Sequence, residues 1–134
     1  MNKIYDAVAL GELLIDFTEN GISPQGNPLL EANPGGAPCN VLAMLNQLGK
    51  KTAFIGKVGN DQFGTMLKAA LQEVNIETKG LLMDDSVHTT LAFVHTFPDG
   101  DRDFAFYRNP GADMMLTKEE VSEDLIRSSR LFHF

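Results

Sequence analysis

The sequence predicts an α/β architecture, on two observations. From Asp6 to Asn75, apolar runs of strand length alternate with amphipathic runs of helical period, the order that builds packed layers of sheet and helix. Beyond them, two short strand-like runs joined by Pro98-Asp99-Gly100 break the alternation as a hairpin, which should project from the main sheet.

The elements follow in order. "DAVALGELLIDF" reads as one buried strand, broken at Gly11-Glu12 and continuing to Asp16. "TENGISPQGNPLLEANPGG" is rich in Gly, Pro and Asn, so turns should dominate, with a short strand at Leu29–Ala32. A helix over Ala37–Leu48 places Val41, Leu42, Leu45 and Leu48 at helical spacing, and Gly49 closes it. "TAFIGKVG" is a strand. "DQFGTMLKAALQEVN" is a helix with Asp61 as N-cap and Phe63, Met66, Leu67, Ala70 and Leu71 on one side. "TTLAFVHTF" and "DRDFAFYR" form the hairpin, with Phe104 and Phe106 on one parity and Ala105 and Tyr107 on the other. "TKEEVSEDLIRSSR" reads as a single helix with Thr117 and Glu120 in a capping box. "RLFHF" is strand-like and ends without a cap or polar tail, which predicts the first part of a longer chain.

Composition narrows the partners. The 134 residues are 43% hydrophobic, enough for the core of one domain. A formal net charge of −7 argues against nucleic acid or an anionic membrane surface. No apolar run reaches spanning length, and the single cysteine, Cys39, suits a reducing compartment. A soluble, cytoplasmic protein is expected.

The chemistry centres on "NPGGAPCNVLAMLNQLG", where two glycines open a helix. A P-loop needs G-x-x-x-x-G-K-[ST]; neither Gly49-Lys50 nor Gly56-Lys57 has the upstream glycine or the following Ser/Thr. A dinucleotide fingerprint needs G-x-G-x-x-G after a strand, and that spacing is absent too. Two readings remain. Gly35 and Gly36 could simply let helix and strand pack, or a polyhydroxyl substrate could lie against their backbone. In the second reading Asn40, one helical turn on, offers a donor and an acceptor. Asp16, at a strand's C-terminal end where open sheets place ligand groups, offers a carboxylate to two hydroxyls; alone it is equally readable as a solvated strand end.

The stretch "NPGGAPCNVLAMLNQLGKKTAFIGKVGNDQFG" resembles the first signature of the ribokinase-like (PfkB) carbohydrate kinases, with Gly-Gly, Asn, a helix, "LG", a strand and "GxVGxDxxG". "GELLIDF" is similar to that family's first strand with its sugar-binding Asp, and "FYRNPGAD" to the segment before its next helix; within the family the wording is most like the fructokinases. Leu42 departs mildly, standing where alanine is common. The resemblance implies a three-layer ribokinase-like α/β sheet with a small β lid from about residues 17–32 and 89–108, residues 1–134 forming the N-terminal part of one domain. It implies transfer of the γ-phosphoryl of ATP, with Mg²⁺, to a sugar hydroxyl. Asp16, Gly35, Gly36 and Asn40 would hold the sugar from below, with Phe106 and Arg108 above it. It also implies a homodimer through the lid.

The same resemblance places the general base in a late Gly-Ala-Gly-Asp-type motif, which these residues lack; "NPGAD" at Asn109–Asp113 reads as a turn. No catalytic residue is assigned here, ATP and Mg²⁺ should bind mainly outside this stretch, and the stretch alone should be inactive. Other substrates implied are ribose, 2-keto-3-deoxygluconate or a nucleoside; an Arg above the sugar suits an acidic or hydroxyl-rich one. A non-catalytic sugar-binding or dimerising module is the rival of another class. His88, His95 and His133 show no metal-ligand spacing, Cys39 reads as a packed core thiol, and Lys50, Lys51 and Lys57 read as a solvated rim.

Overall fold

A computed structural model describes residues 2–134. Its first sheet is all parallel and is built from β1 (Tyr5–Leu10), β4 (Thr52–Gly59), β5 (Ile76–Asp84) and β8 (Ser129–His133), in the order β5-β4-β1-β8. Parallel neighbours need crossovers, supplied here by helices α1 (Ala37–Gln47), α2 (Gln62–Glu73) and α3 (Glu123–Arg127). Strand alternation divides the core between two faces. Ala7, Ala9, Phe54 and Val58 pack with Leu42 of α1 and with Leu67 and Leu71 of α2, whereas Val8, Ala53 and Ile55 pack with Leu125 of α3. Helices cover both faces of one sheet, giving three layers and the expected α/β class.

The second sheet, in the order β3-β2-β6-β7, joins β2 (Leu14–Ile22), β3 (Pro28–Gly35), β6 (Leu91–Thr96) and β7 (Arg102–Tyr107). Its two hairpins are antiparallel, and β2 and β6 pair in parallel between them. The expected Pro98-Asp99-Gly100 turn closes the second hairpin, with Gly100 N–H donating to the Phe97 carbonyl at 3.0 Å.

Several expectations change in the structure. "DAVALGELLIDF" is two strands in different sheets, because the chain at Gly11–Leu13 leaves one sheet for the other. The stretch 18–36 is mostly strand, since β2 and β3 pair along nearly their whole lengths and only residues 23–27 turn. Ile76–Asp84 is a strand the periodicity did not reveal: Glu77, Lys79 and Gly80 dilute its apolar pattern. The helix read over Thr117–Arg130 splits into a 3₁₀ turn at Lys118–Glu120 and α3. Val121 is extended and turns into the core, and Ser122 starts the helix again as a second cap. On α1 only Leu42 of the four spaced residues is fully buried; Val41 and Leu48 are exposed. Asp61 caps α2 as expected, accepting from Gly64 N–H at 2.8 Å. No described helix is long and apolar enough to cross a membrane.

Candidate functional site

The two sheets meet where the chain passes between them, at Gly11–Leu13, Gly35-Gly36, residues 85–90 and residues 108–111. Asp16 stands on β2, one residue beyond fully buried Ile15. Its register partners are Asn33 on β3 and Ala92 on β6, and Ala92 is paired in turn with Phe106 on β7. Paired residues share a sheet face, so Asn33, Asp16, Ala92 and Phe106 form one row, with Phe106 two strands, or ~10 Å, from Asp16. Arg108 has the same parity as Phe106, and its guanidinium carbon lies 5.4 Å from the Phe106 ring centroid. The opposite face carries Phe17, Phe93 and Tyr107, with Phe17 packed edge-on against Phe63 of α2.

The glycines are explained first by the fold itself. A Cβ on Gly35 would collide with Asp16 Oδ2, so glycine there makes room for that carboxylate. Gly36 sits at φ 126, which side-chain-bearing residues rarely adopt, and a Cβ would come within 2.5 Å of the Glu12 carbonyl oxygen. The carbonyl of Gly36 accepts from Asn40 N–H at 3.2 Å in the first turn of α1. The Asn40 side chain is exposed and, with Pro34, Gly35 and Cys39, lines a hollow of about 300 Å³. Gly35 thus adjoins both polar candidates; no hydrogen bond joins Asp16 and Asn40 among the described residues.

Electrostatics set the polar groups of the site apart. Burial, with the Glu12 charge adding to it, raises the pKa of Asp16 from its ordinary value. Arg108 is held charged by its hydrogen bond to Glu12, which outweighs burial, and by Asp113. Its Nη2 donates to Glu12 Oε2 at 2.8 Å and to Asp113 Oδ2 at 2.9 Å, while its Nε is buried without a partner. Asp113 also accepts from the hydroxyl of Thr90, which stands just before β6.

Sequence reasoning missed Glu12, Asn33, Thr90 and Asp113. "NPGAD" is a turn as expected, but its Asp is buried against an arginine rather than solvated. Lys57 is no solvated rim: it is buried, with Nζ 2.7 Å from Glu120 Oε2 and 3.8 Å from Asp84 Oδ2. Burial pushes the Cys39 thiol up to about 12, so it is inert as a nucleophile.

A family model described as "pfkB family carbohydrate kinase" matches residues 5–134. The chain is 47% identical over 129 residues to a fructokinase of Solanum tuberosum, a match spanning 95% of this chain and 40% of that protein. The crystal structure of fructokinase from Xylella fastidiosa superposes with a TM-score of 0.88 at 31% identity, over 97% of this chain and 41% of that one. A putative ribokinase II from E. coli, in complex with ATP and Mg²⁺, superposes with a TM-score of 0.82 at 28% identity, over 97% and 42% of the two chains. The chain thus spans about two fifths of the length of these relatives.

Proposed function

Because the chain belongs to the pfkB family of carbohydrate kinases, we propose that it supplies the sugar-binding floor and β lid of an ATP-dependent kinase converting fructose to fructose 6-phosphate. The observation that carries this reading is the row that puts Asp16 and Phe106 on one sheet face, with Arg108 beside Phe106. Identity to a fructokinase supports fructose over ribose, 2-keto-3-deoxygluconate or a nucleoside.

Each residue has a task. The Asp16 carboxylate, poorly solvated and near Glu12, gains by accepting hydrogen bonds from two sugar hydroxyls. Gly35 leaves that carboxylate unobstructed, Gly36 lets the sugar approach the backbone, and Asn40 adds a carboxamide at the start of α1. Phe106 covers the apolar face of the sugar and Arg108 directs donors to its hydroxyls. The second sheet, with segments at about residues 17–32 and 89–108, acts as a lid that keeps water from competing as phosphoryl acceptor. Tyr107, exposed on the opposite face, also suits pairing of two copies through this lid, which sedimentation would detect as a dimer.

ATP with Mg²⁺ would supply the transferred phosphoryl group. Among the described residues no three His, Cys, Asp or Glu side chains converge on a metal site, and no step through the ion is assigned to this stretch. Calorimetric titration with D-fructose tests the reading. Binding heat that disappears in Asp16→Asn supports it; tighter binding of ribose or of a nucleoside would replace the fructose assignment.

A further inference from the structure

Residues 59–64, "GNDQFG", stand outside the sugar row, yet their polar groups converge on Thr89, in the strap that carries the chain from β5 into the second sheet. Asp61 does more than cap α2. Its Oδ1 accepts from Gly64 N–H and from the Thr89 hydroxyl, each at 2.8 Å, and its Oδ2 accepts from Thr89 N–H at 2.9 Å. The same hydroxyl accepts from Gly59 N–H at 2.9 Å. Thr89 is 3% exposed, so these bonds lie away from competing water. Burial raises the pKa of Asp61, but the hydrogen bonds from Thr89 and Gly64, with His88 nearby, hold it below its ordinary value. A Cβ on Gly59 would come within 2.5 Å of Asp61 Oδ2 and of Thr89 N, so glycine there lets the clasp close.

The next residue carries the contact onward. The Thr90 carbonyl, just before β6, accepts from Ile15 N–H at 3.2 Å, and Asp16 follows Ile15 in register with Ala92. A continuous path thus runs from the N-terminus of α2, packed on the first sheet, to the residue beside the carboxylate on the second.

We propose that Asp61 and Thr89 are positioning residues for sugar binding: by fixing where β6 starts, they set the place of β2 and with it the Asp16 carboxylate. The inference rests on the sugar-site reading above and deepens it by naming residues outside the site that hold its carboxylate in place.

Calorimetry with D-fructose and residue-resolved amide hydrogen exchange on the purified protein test it. Thr89→Val keeps the side chain's shape and the bond from Gly64 N–H to Asp61 but removes the hydroxyl. Asp61→Ser keeps a capping oxygen for α2 but loses the one that holds Thr89 N–H. Each should weaken fructose binding by roughly tenfold. The Ile15 amide should exchange roughly tenfold faster in each, while the Phe54 and Ile55 amides on β4 keep the unaltered rate. Thr89→Ser restores the hydroxyl and should rescue both readouts. Unchanged fructose affinity in Thr89→Val overturns this inference alone, as does faster exchange spread equally over Ile15, Phe54 and Ile55, which would make the clasp a purely structural one. Weakened binding that persists in Thr89→Ser overturns it too. Absence of fructose binding by the unaltered protein overturns the sugar-site reading, and this inference with it.

Discussion

Strands β4 and β7 have opposite fates. Every residue of β4, "TAFIGKVG", is buried, including Lys57; every residue of β7, "RDFAFY", is exposed, including three aromatics. β4 runs between β5 and β1, with α1 and α2 on one face and α3 on the other. β7 is the outer strand of the second sheet, paired only with β6. Composition does not separate them, since β7 carries more aromatic surface; the layers around them do. An outer strand whose aromatics stay exposed is open to an occupant, as the proposed lid requires, and a strand enclosed by two helical layers is scaffold.

The comparison can be broken by experiment. The largest effect should come from the scaffold: Phe54→Ala, at a fully buried ring on β4, should cost about 3–5 kcal/mol in denaturant unfolding. Next is the junction of the sheets. Gly36→Ala puts a Cβ against the Glu12 carbonyl at a positive φ and should cost about 2–3 kcal/mol, with a lowered melting temperature as the readout. Phe106→Ala on β7 should change stability by no more than about 0.5 kcal/mol and still weaken fructose binding. Loss of stability comparable to that of Phe54→Ala would mean β7 is part of the core after all.

The smallest effect on stability, and of opposite sign, belongs to Asp16→Asn. The folded pKa of Asp16 is raised, so the folded state holds its proton more tightly than the unfolded chain does. That contribution is fully present below the unfolded pKa and lost as pH rises through the folded one. At neutral pH the asparagine variant should therefore melt at the same temperature or roughly 1–2 °C higher, and fructose heat should vanish. Between mildly acidic and neutral pH its stability should decline less than that of the unaltered protein. A variant that melts lower at neutral pH would show that the carboxylate supports the fold.

The features legible in the sequence are those fixed within a few residues. The Asp61 cap, the Pro98-Asp99-Gly100 turn and the Glu120 carboxylate reaching back to Thr117 N–H at 3.0 Å all involve neighbours along the chain. The Gly-Gly-x-x-x-Asn stretch was legible as a motif, yet its two glycines answer to Asp16 and Glu12, residues more than a helix length away in sequence. Local signals misled where tertiary contacts overrode them. Lys57 looked like a surface lysine until Glu120 and Asp84 enclosed it, and the helix read over Thr117–Arg130 is interrupted where Val121 turns into the core.

By itself, the sequence determined the α/β alternation and the caps and turns, because periodicity and capping act over one or two turns of chain, and its likeness to the family's signature singled out Asp16, Asn40, Phe106 and Arg108. Only the tertiary structure decided that β1 and β2 part into different sheets and that β7 stays uncovered. It alone joined Arg108 to Glu12 across 96 residues and to the buried carboxylate of Asp113. Such pairings depend on which strands become neighbours, and neighbours are chosen by the packing of whole layers rather than by any short run of residues.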